Sequence, residues 1–203
     1  MSTAEFSNSE DWSQCPIYGG VLIGGASKRM GQPKSILPFQ GASFTERILT
    51  VLREQTDQTV LLGDGAVPIA GQDQTCLPDV PDLRGPLAGI LAALRWKRDA
   101  CWIIVACDLP KLRAEALTWL IAQRDPRYQA ILPRNTDGRA EPLLAIYEPE
   151  SLDLIEQLVQ QGLRAPSKLA DQPRVHTPTP PASILECWTN INTPAEYRRL
   201  QKE

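Results

Sequence analysis

The sequence predicts an α/β fold: a three-layer αβα sandwich of Rossmann-like type with a mostly parallel sheet. Strand-length apolar runs alternate with helical patterns, which implies right-handed crossovers between parallel strands. The run Cys101–Ala106 is apolar throughout, as expected of a central strand that helices cover on both faces. The chain has 203 residues, 42% of them hydrophobic, which suits one compact domain.

Each element has its own signal. The first strand ends at Ile23, and residues 44–54 have apolar side chains at helical spacing. A later helix opens at Pro86, and the last has Thr193 as its N-cap and Pro194 at its first position. The remaining predicted strands are 59–62, 74–77, 101–106, 129–132 and 143–147, and the remaining helices are 114–123 and 151–160. Residues 1–15 are polar and predict a disordered extension, with residues 16–203 as a single domain.

Composition excludes several classes of function. The net charge of -3 argues against a general nucleic-acid-binding surface. Five cysteines without a C-x-x-C pair suit a reducing compartment, and no apolar stretch has the length of a membrane span, so we expect a cytoplasmic protein. The single histidine, His176, lies next to a proline-rich stretch and is a poor candidate for a catalytic triad or zinc site.

A glycine-rich loop follows the first strand and reads G-G-x-S-x-R-M-G-x-x-K over residues 24–34. Its glycines let the backbone approach an anion, and the side chains of Ser27, Arg29 and Lys34 add donors and charge. The spacing fits neither a Walker loop nor a dinucleotide fingerprint. The loop therefore predicts a different kind of triphosphate site, and a solvated basic turn is the simpler alternative.

Two aspartates follow predicted strands. Asp108 comes directly after the central strand, at the sheet edge that the loop also reaches, so it is a candidate Mg²⁺ ligand beside phosphates. An N-cap for the next helix is the alternative. Asp79 could accept two N–H donors from a guanine edge, although Asp-Val-Pro-Asp is equally good turn chemistry.

The loop resembles the signature of the nucleotidyltransferases, and most closely that of the molybdenum cofactor guanylyltransferases. Further matches are Asp79 before Gly-Pro-Leu-Ala-Gly at 85–89, Cys-Asp-x-Pro at 107–110 and Asn-x-Asn-Thr-Pro at 190–194, so the resemblance covers about residues 20–200. It implies a nucleotidyltransferase fold and transfer of GMP from GTP to the phosphate of molybdopterin, with Mg²⁺. The nucleotide-binding residues that it implies are Leu22, Ile23, Gly24, Gly25, Ser27, Lys34, Asp79 and Asp108. Arg29, Lys34 and Asp108 would be catalytic, and Asp108 would hold the metal.

The resemblance implies that the N-terminal half binds the nucleotide and the C-terminal half receives the acceptor. Arg164, Lys168 and Asn192 are the candidates there, and a solvated basic face is the simpler explanation of the two cations. The family often has an asparagine where this chain offers Gly63 or Asp64. The resemblance therefore does not identify which residue of this chain makes the nucleotide contact of that asparagine. We expect no nucleic-acid or membrane partner; molybdopterin-insertion proteins and molybdoenzymes are candidate partners. A cytidylyl- or sugar-phosphate nucleotidyltransferase remains an alternative, as does a noncatalytic GTP-binding assembly protein.

Overall fold

A computed structural model describes residues 14–25, 30–68 and 73–203. Its centre is a seven-stranded sheet in the order β5-β4-β1-β6-β8-β7-β9. The strands of this sheet are β1 Ile17–Leu22, β4 Gln58–Leu62, β5 Cys76–Leu77, β6 Cys101–Ala106, β7 Ala130–Ile131, β8 Leu144–Tyr147 and β9 Val175–His176. A separate hairpin pairs β2 Pro38–Phe39 with β3 Ala42–Ser43.

The sheet is mostly parallel, as predicted. β1 pairs in parallel with β4 and β6, so that Leu22 lies beside Leu62 on one side and Ala106 on the other. β8 runs antiparallel to both β6 and β7. The alternation of strands and helices breaks between β7 and β8, because no helix separates these two strands. The reversal brings the residues before β8 to the same sheet edge as the residues after β6.

Helices cover both faces, which confirms the three-layer αβα sandwich. The described helices are α1 Phe44–Arg53, α2 Pro86–Trp96, α3 Ala114–Ile121, α4 Ser151–Gln160 and α5 Pro194–Leu200. The core has two large parts: α1 and α3 contribute to the first, and α2 and α4 contribute to the second. β6, buried along its whole length, supplies side chains to both. In the part of the chain that the model describes, no helix has the length and apolar character needed to cross a bilayer.

Local signals explain where helices begin. Thr193 caps α5 through a capping box with Glu196, and Pro194 is the first helical residue, as predicted. α2 begins at Pro86, also as predicted, after Gly85 with a φ of 76°. Such a positive φ favours glycine, so the turn into α2 depends on this residue.

A third, smaller core joins the two ends of the domain. Met30, Leu37 and Phe39 pack with Phe44, Ile191 and Leu200. The Tyr197 hydroxyl of α5 donates to the Pro38 carbonyl at 2.7 Å. The C-terminal helix therefore holds the chain that leaves the glycine-rich loop. Residues 1–13 of the predicted extension lie outside the described residues, and Cys15 at its end packs against the first part of the core.

Candidate active site

A cavity of about 690 Å³ opens at the carboxyl edge of the sheet, where β1, β4 and β6 end. Ligands of open α/β sheets bind at this edge. The cavity is lined by seven residues predicted to bind the nucleotide, namely Leu22, Ile23, Gly24, Gly25, Lys34, Asp79 and Asp108. Ser27 and Arg29 lie outside the described residues, so their roles remain predictions.

The floor of the cavity is backbone packed against backbone. A Cβ placed on Gly65 would lie 1.9 Å from the carbonyl oxygen of Ile23, a contact that no side chain can make. Gly63 has a φ of 90°, and its N–H donates to the Leu77 carbonyl at 2.8 Å. Gly24 faces this turn: a Cβ placed on it would lie 3.7 Å from the Gly63 Cα. A ligand can therefore reach main-chain groups directly, because few side chains stand in its way.

Asp79 is half-buried and leans over this glycine floor. Its Oδ1 lies 3.3 Å from the point where a Gly63 Cβ would stand, and its Oδ2 lies 3.8 Å from the corresponding point on Gly24. Burial raises the pKa of the Asp79 carboxyl, and the nearby charge of Asp64 raises it further. Asp64 also lines the cavity. The two carboxylates give this end of the cavity an acceptor character that suits a ligand with N–H donors.

Two further residues that line the cavity, Lys34 and Asp108, form a hydrogen-bonded group with Asn190 and Asn192. The Lys34 Nζ donates to the Asp108 Oδ2 at 2.8 Å and to the Asn192 Oδ1 at 2.6 Å. The Asn190 amide donates to the other Asp108 oxygen at 2.8 Å. Arg113 occupies the N-cap position of α3, although its side chain makes no capping hydrogen bond, so the alternative interpretation of Asp108 as the cap of this helix is wrong. Its carboxylate faces the cavity instead.

Backbone contacts fix the two asparagines. The Ile191 N–H donates to the Asp108 carbonyl at 2.9 Å, which places the C-terminal segment beside the end of β6. The Glu196 carboxylate accepts the N–H groups of Asn192 at 2.6 Å and Thr193 at 3.0 Å. These hydrogen bonds, led by the one from Asn192, hold the pKa of Glu196 below its usual value. The capping box of α5 thus also orients Asn192 toward Lys34.

The donor set at Asp108 fits a hard cation. Two oxygens, the Asp108 Oδ2 and the Asn192 Oδ1, converge on the positive Lys34 ammonium, and oxygen ligands are those that Mg²⁺ prefers. Over the described ranges no cluster of three or more His, Cys, Asp or Glu residues could hold a metal. Phosphate oxygens and water would therefore have to supply most of the coordination at Asp108. This division is typical of Mg²⁺ sites that act on nucleotides.

The two other acceptor candidates lie elsewhere. The Arg164 guanidinium donates to the carbonyls of Val159 at 3.2 Å and Leu163 at 2.7 Å, at the end of α4. Lys168 is exposed and lies 3.9 Å from the Asp171 carboxylate. Neither lines the cavity described above, and their role in acceptor binding remains a prediction.

The site lacks an activated thiol among its described residues. Cys107, which precedes Asp108, is buried, and burial raises the pKa of its thiol to about 12. The thiol stays protonated near neutral pH and cannot serve as a nucleophile. Cations, carboxylates and main-chain N–H groups remain, and this combination suits charge stabilisation during direct transfer between two bound substrates.

Comparison with known proteins identifies the family. The model of the MobA-like NTP transferase domain matches residues 19–175. The chain belongs to the MobA-like NTP transferases. It is 31% identical to a protein of Bacillus cereus named "Probable molybdenum cofactor guanylyltransferase", over 91% of this chain and 96% of the relative. This MobA-like chain is therefore a nucleotidyltransferase, as predicted.

Solved structures agree with this assignment. The crystal structure of molybdopterin-guanine dinucleotide biosynthesis protein A from Archaeoglobus fulgidus matches with a TM-score of 0.69 and 25% identity, over 91% of this chain and 97% of that one. The 2-C-methyl-D-erythritol 4-phosphate cytidylyltransferase of Thermus thermophilus matches with a TM-score of 0.63 and 15% identity, over 90% and 96%. The second likeness shows the shared fold alone. It confirms the nucleotidyltransferase architecture of the MobA-like chain.

Proposed function

We propose that this transferase moves GMP from GTP to the phosphate of molybdopterin, which yields molybdopterin guanine dinucleotide and pyrophosphate. The observation that carries the proposal is the arrangement of one cavity. Asp79 stands at one end, above a floor of glycine backbone, and the Lys34–Asp108 pair stands at the other. The names of the Bacillus and Archaeoglobus relatives support the same reaction.

Guanine suits the Asp79 end. Its N1–H and 2-amino group are adjacent donors, and one carboxylate accepts both. Cytosine offers a single amino donor beside two acceptors, and those acceptors would face the charges of Asp79 and Asp64. The carboxylate pair therefore favours GTP over CTP, the donor of the cytidylyltransferase alternative.

The triphosphate would lie across the glycine floor toward Lys34. Gly24 and Gly25 line the cavity, and their main-chain N–H groups could bind phosphate oxygens. Lys34 supplies a compact positive charge at the α-phosphate, whereas Arg29, by its place in the loop motif, would fork two oxygens of the β- or γ-phosphate. Both roles are proposals from position and chemistry.

The transfer requires no covalent enzyme intermediate. An oxygen of the molybdopterin phosphate forms a bond to the α-phosphorus of GTP, the bond from that phosphorus to the bridging oxygen breaks, and pyrophosphate leaves with the electron pair. The attacking oxygen is already ionised, so no general base is needed. Lys34 offsets the repulsion between the two anions and stabilises the charge that develops on the leaving group. Asp108 would hold Mg²⁺, which supplies further neutralisation of phosphate charge when bound.

We expect a cytoplasmic protein whose product passes to molybdopterin-insertion proteins or molybdoenzymes. The relatives named as guanylyltransferases favour the enzyme over a noncatalytic GTP-binding assembly protein.

The test is a nucleotide panel. Purified protein is incubated anaerobically with Mg²⁺ and molybdenum-loaded molybdopterin, and GTP, CTP and ATP are offered separately. Pyrophosphate release and dinucleotide formation are measured together. We expect turnover with GTP at least tenfold above that with CTP or ATP. Equal or greater turnover with CTP would refute the guanylyl assignment, and nucleotide binding without pyrophosphate release would favour the assembly protein.

A further inference from the structure

A second half-buried carboxylate lies on the far side of Asp108 from Asp79. Glu141 precedes β8, which pairs antiparallel with β6 in the register Val105 to Leu144. One further bond, from the Ala106 N–H to the Leu143 carbonyl at 2.8 Å, continues this pairing. Residues 142 and 143 then form a turn, and Glu141 lies just before it, two residues from the Leu143 that bonds to Ala106. The antiparallel strand and its turn thus bring a carboxylate from the C-terminal half toward the sheet edge that holds Asp108.

The segment that presents Glu141 is braced by hydrogen bonds. The Glu141 N–H donates to the Pro133 carbonyl at 2.8 Å, and an isolated antiparallel bridge joins Arg134 to Ala140. The side-chain amide of Asn135 donates to the Glu141 Oε1 at 2.9 Å. The buried Tyr147 hydroxyl donates to the Pro142 carbonyl at 2.9 Å and anchors the other end. The carboxylate is therefore presented by a fixed turn.

Glu141 also lies within electrostatic range of Asp108. Burial raises the pKa of the Glu141 carboxyl. The hydrogen bond from Asn135 and the charge of Arg139 oppose this, and the charges of Asp137 and, least, Asp108 add to it. Asp79 stands on the other side of Asp108, at the ends of β4 and β1. The order along the sheet edge is thus Asp79, Asp108 and Glu141, and phosphates bound at Asp108 would lie between the two outer carboxylates.

The two substrates of the proposed reaction have the same recognition edge. Guanine presents N1–H beside a 2-amino group, and the pterin ring of molybdopterin presents N3–H beside a 2-amino group. Each is a pair of adjacent donors that one carboxylate can accept. An enzyme that joins them can therefore recognise each with one carboxylate, on either side of the phosphate to be attacked.

We propose that Glu141 determines acceptor specificity by accepting hydrogen bonds from the N3–H and 2-amino groups of the pterin. Asn135 holds the Glu141 carboxylate in place. The inference rests on the proposed function, since it takes molybdopterin as the acceptor. It gives Glu141 a binding role and no part in the bond-making step. A lumazine, which has an oxygen in place of the 2-amino group, would present an acceptor to the same carboxylate and bind poorly.

The test compares 6-hydroxymethylpterin with 6-hydroxymethyllumazine, titrated into the Mg²⁺-supplemented protein and followed by ligand fluorescence. The wild type should bind the pterin about 10- to 100-fold more tightly, the range expected of hydrogen bonds to a charged group. Glu141→Gln keeps the bond from Asn135 but loses the charge, and should bring the ratio of the two dissociation constants close to one. Glu54→Gln, an exposed site in the chain after α1, is the matched control and should keep the wild-type ratio.

Two results would overturn the proposal. One is a wild type that binds the pterin and the lumazine equally well. The other is a Glu141→Gln variant that binds both ligands more weakly by the same factor, as a purely structural role predicts. In turnover, Glu141→Gln should raise the KM for molybdopterin about 10-fold or more and leave the KM for GTP within twofold. The binding titration needs no turnover. A failure of GMP transfer in the wild type would therefore be seen apart from a failure of pterin recognition.

Discussion

Removal of the Lys34 ammonium tests the catalytic end of the cavity. Lys34→Met keeps the length and apolar stem of the side chain and removes its charge. The ammonium makes a 2.8 Å contact with Asp108 and a 2.6 Å contact with Asn192. The Lys34 and Asp108 side chains are only 15% and 16% exposed, so water cannot fully replace either interaction.

The expected effect on catalysis follows from the loss of one preorganised charge-stabilising donor. Such a loss costs about 2–4 kcal/mol of transition-state stabilisation, which corresponds to a fall in kcat of about 30- to 900-fold. Stability should change less. Asp108 keeps its hydrogen bond from Asn190, and we expect a loss of about 1–3 kcal/mol, the worth of a hydrogen bond to a charged group.

The assay is pyrophosphate release with saturating GTP and molybdenum-loaded molybdopterin, run beside thermal unfolding of each variant. Lys97→Met is the control, because Lys97 precedes β6 at the opposite sheet edge and pairs with Asp99. It should keep kcat within twofold of the wild type. A folded Lys34→Met enzyme that retains more than a third of the wild-type kcat would refute the assigned role of Lys34.

Three further predictions concern the floor, the guanine end and the C-terminal segment. Gly65→Ala forces a Cβ against the Ile23 carbonyl, so it should cost about 1–3 kcal/mol of stability and raise the KM for GTP. The control is Gly41→Ala, which is strained only by its φ of 87° and should leave the KM for GTP unchanged. Thermal unfolding and initial rates check both variants. Asp79→Asn should weaken GTP binding in a titration yet stabilise the free protein at pH 7. The folded-state pKa of Asp79 is raised, so ionisation of Asp79 lowers the free energy of unfolding as pH rises from about 3.8 through that pKa. A variant that melts below the wild type at pH 7 would contradict this. Glu196→Ala should cost about 1 kcal/mol of stability, because the capping box of α5 is lost. It should also lower kcat, because the Asn192 N–H loses its acceptor. Glu196→Gln keeps a capping acceptor and should recover most of the stability. The folded-state pKa of Glu196 is lowered, so its stabilising effect is present above pH 4.5 and is lost as pH falls through that pKa, which pH-dependent melting would show.

Local chemistry made much of the fold and of the nucleotide half predictable. β6 is an apolar run with a carboxylate directly after it, and the rule for parallel sheets then places Asp108 beside the glycine-rich loop. The starts of α2 and α5 follow from proline and a capping threonine. Each of these signals lies within a few residues of the element that it specifies, so it can be read from the sequence alone.

The contacts that complete the site join distant parts of the chain. Asn190 and Asp108 are 82 positions apart, and only the Asn-x-Asn-Thr-Pro segment hints at their meeting. The place of Glu141 depends on the direction of β8, which the alternation of strands and helices elsewhere in the chain does not predict. The Asp137-Gly138 pair between two strand patterns is a hairpin signal that could have revealed the reversal.

The reversal at β8 has a consequence for how such enzymes can be re-engineered. The turn before β8 precedes a strand that pairs with β6 on one side, whereas the glycine floor follows β1 and β4 on the other side of β6. If Glu141 binds the acceptor as proposed, an exchange of residues 133–142 for a turn of different length or charge would change acceptor binding and leave the packed glycine floor intact. The two substrate sites could then be exchanged independently, and one nucleotide-binding frame could serve chemically unlike acceptors.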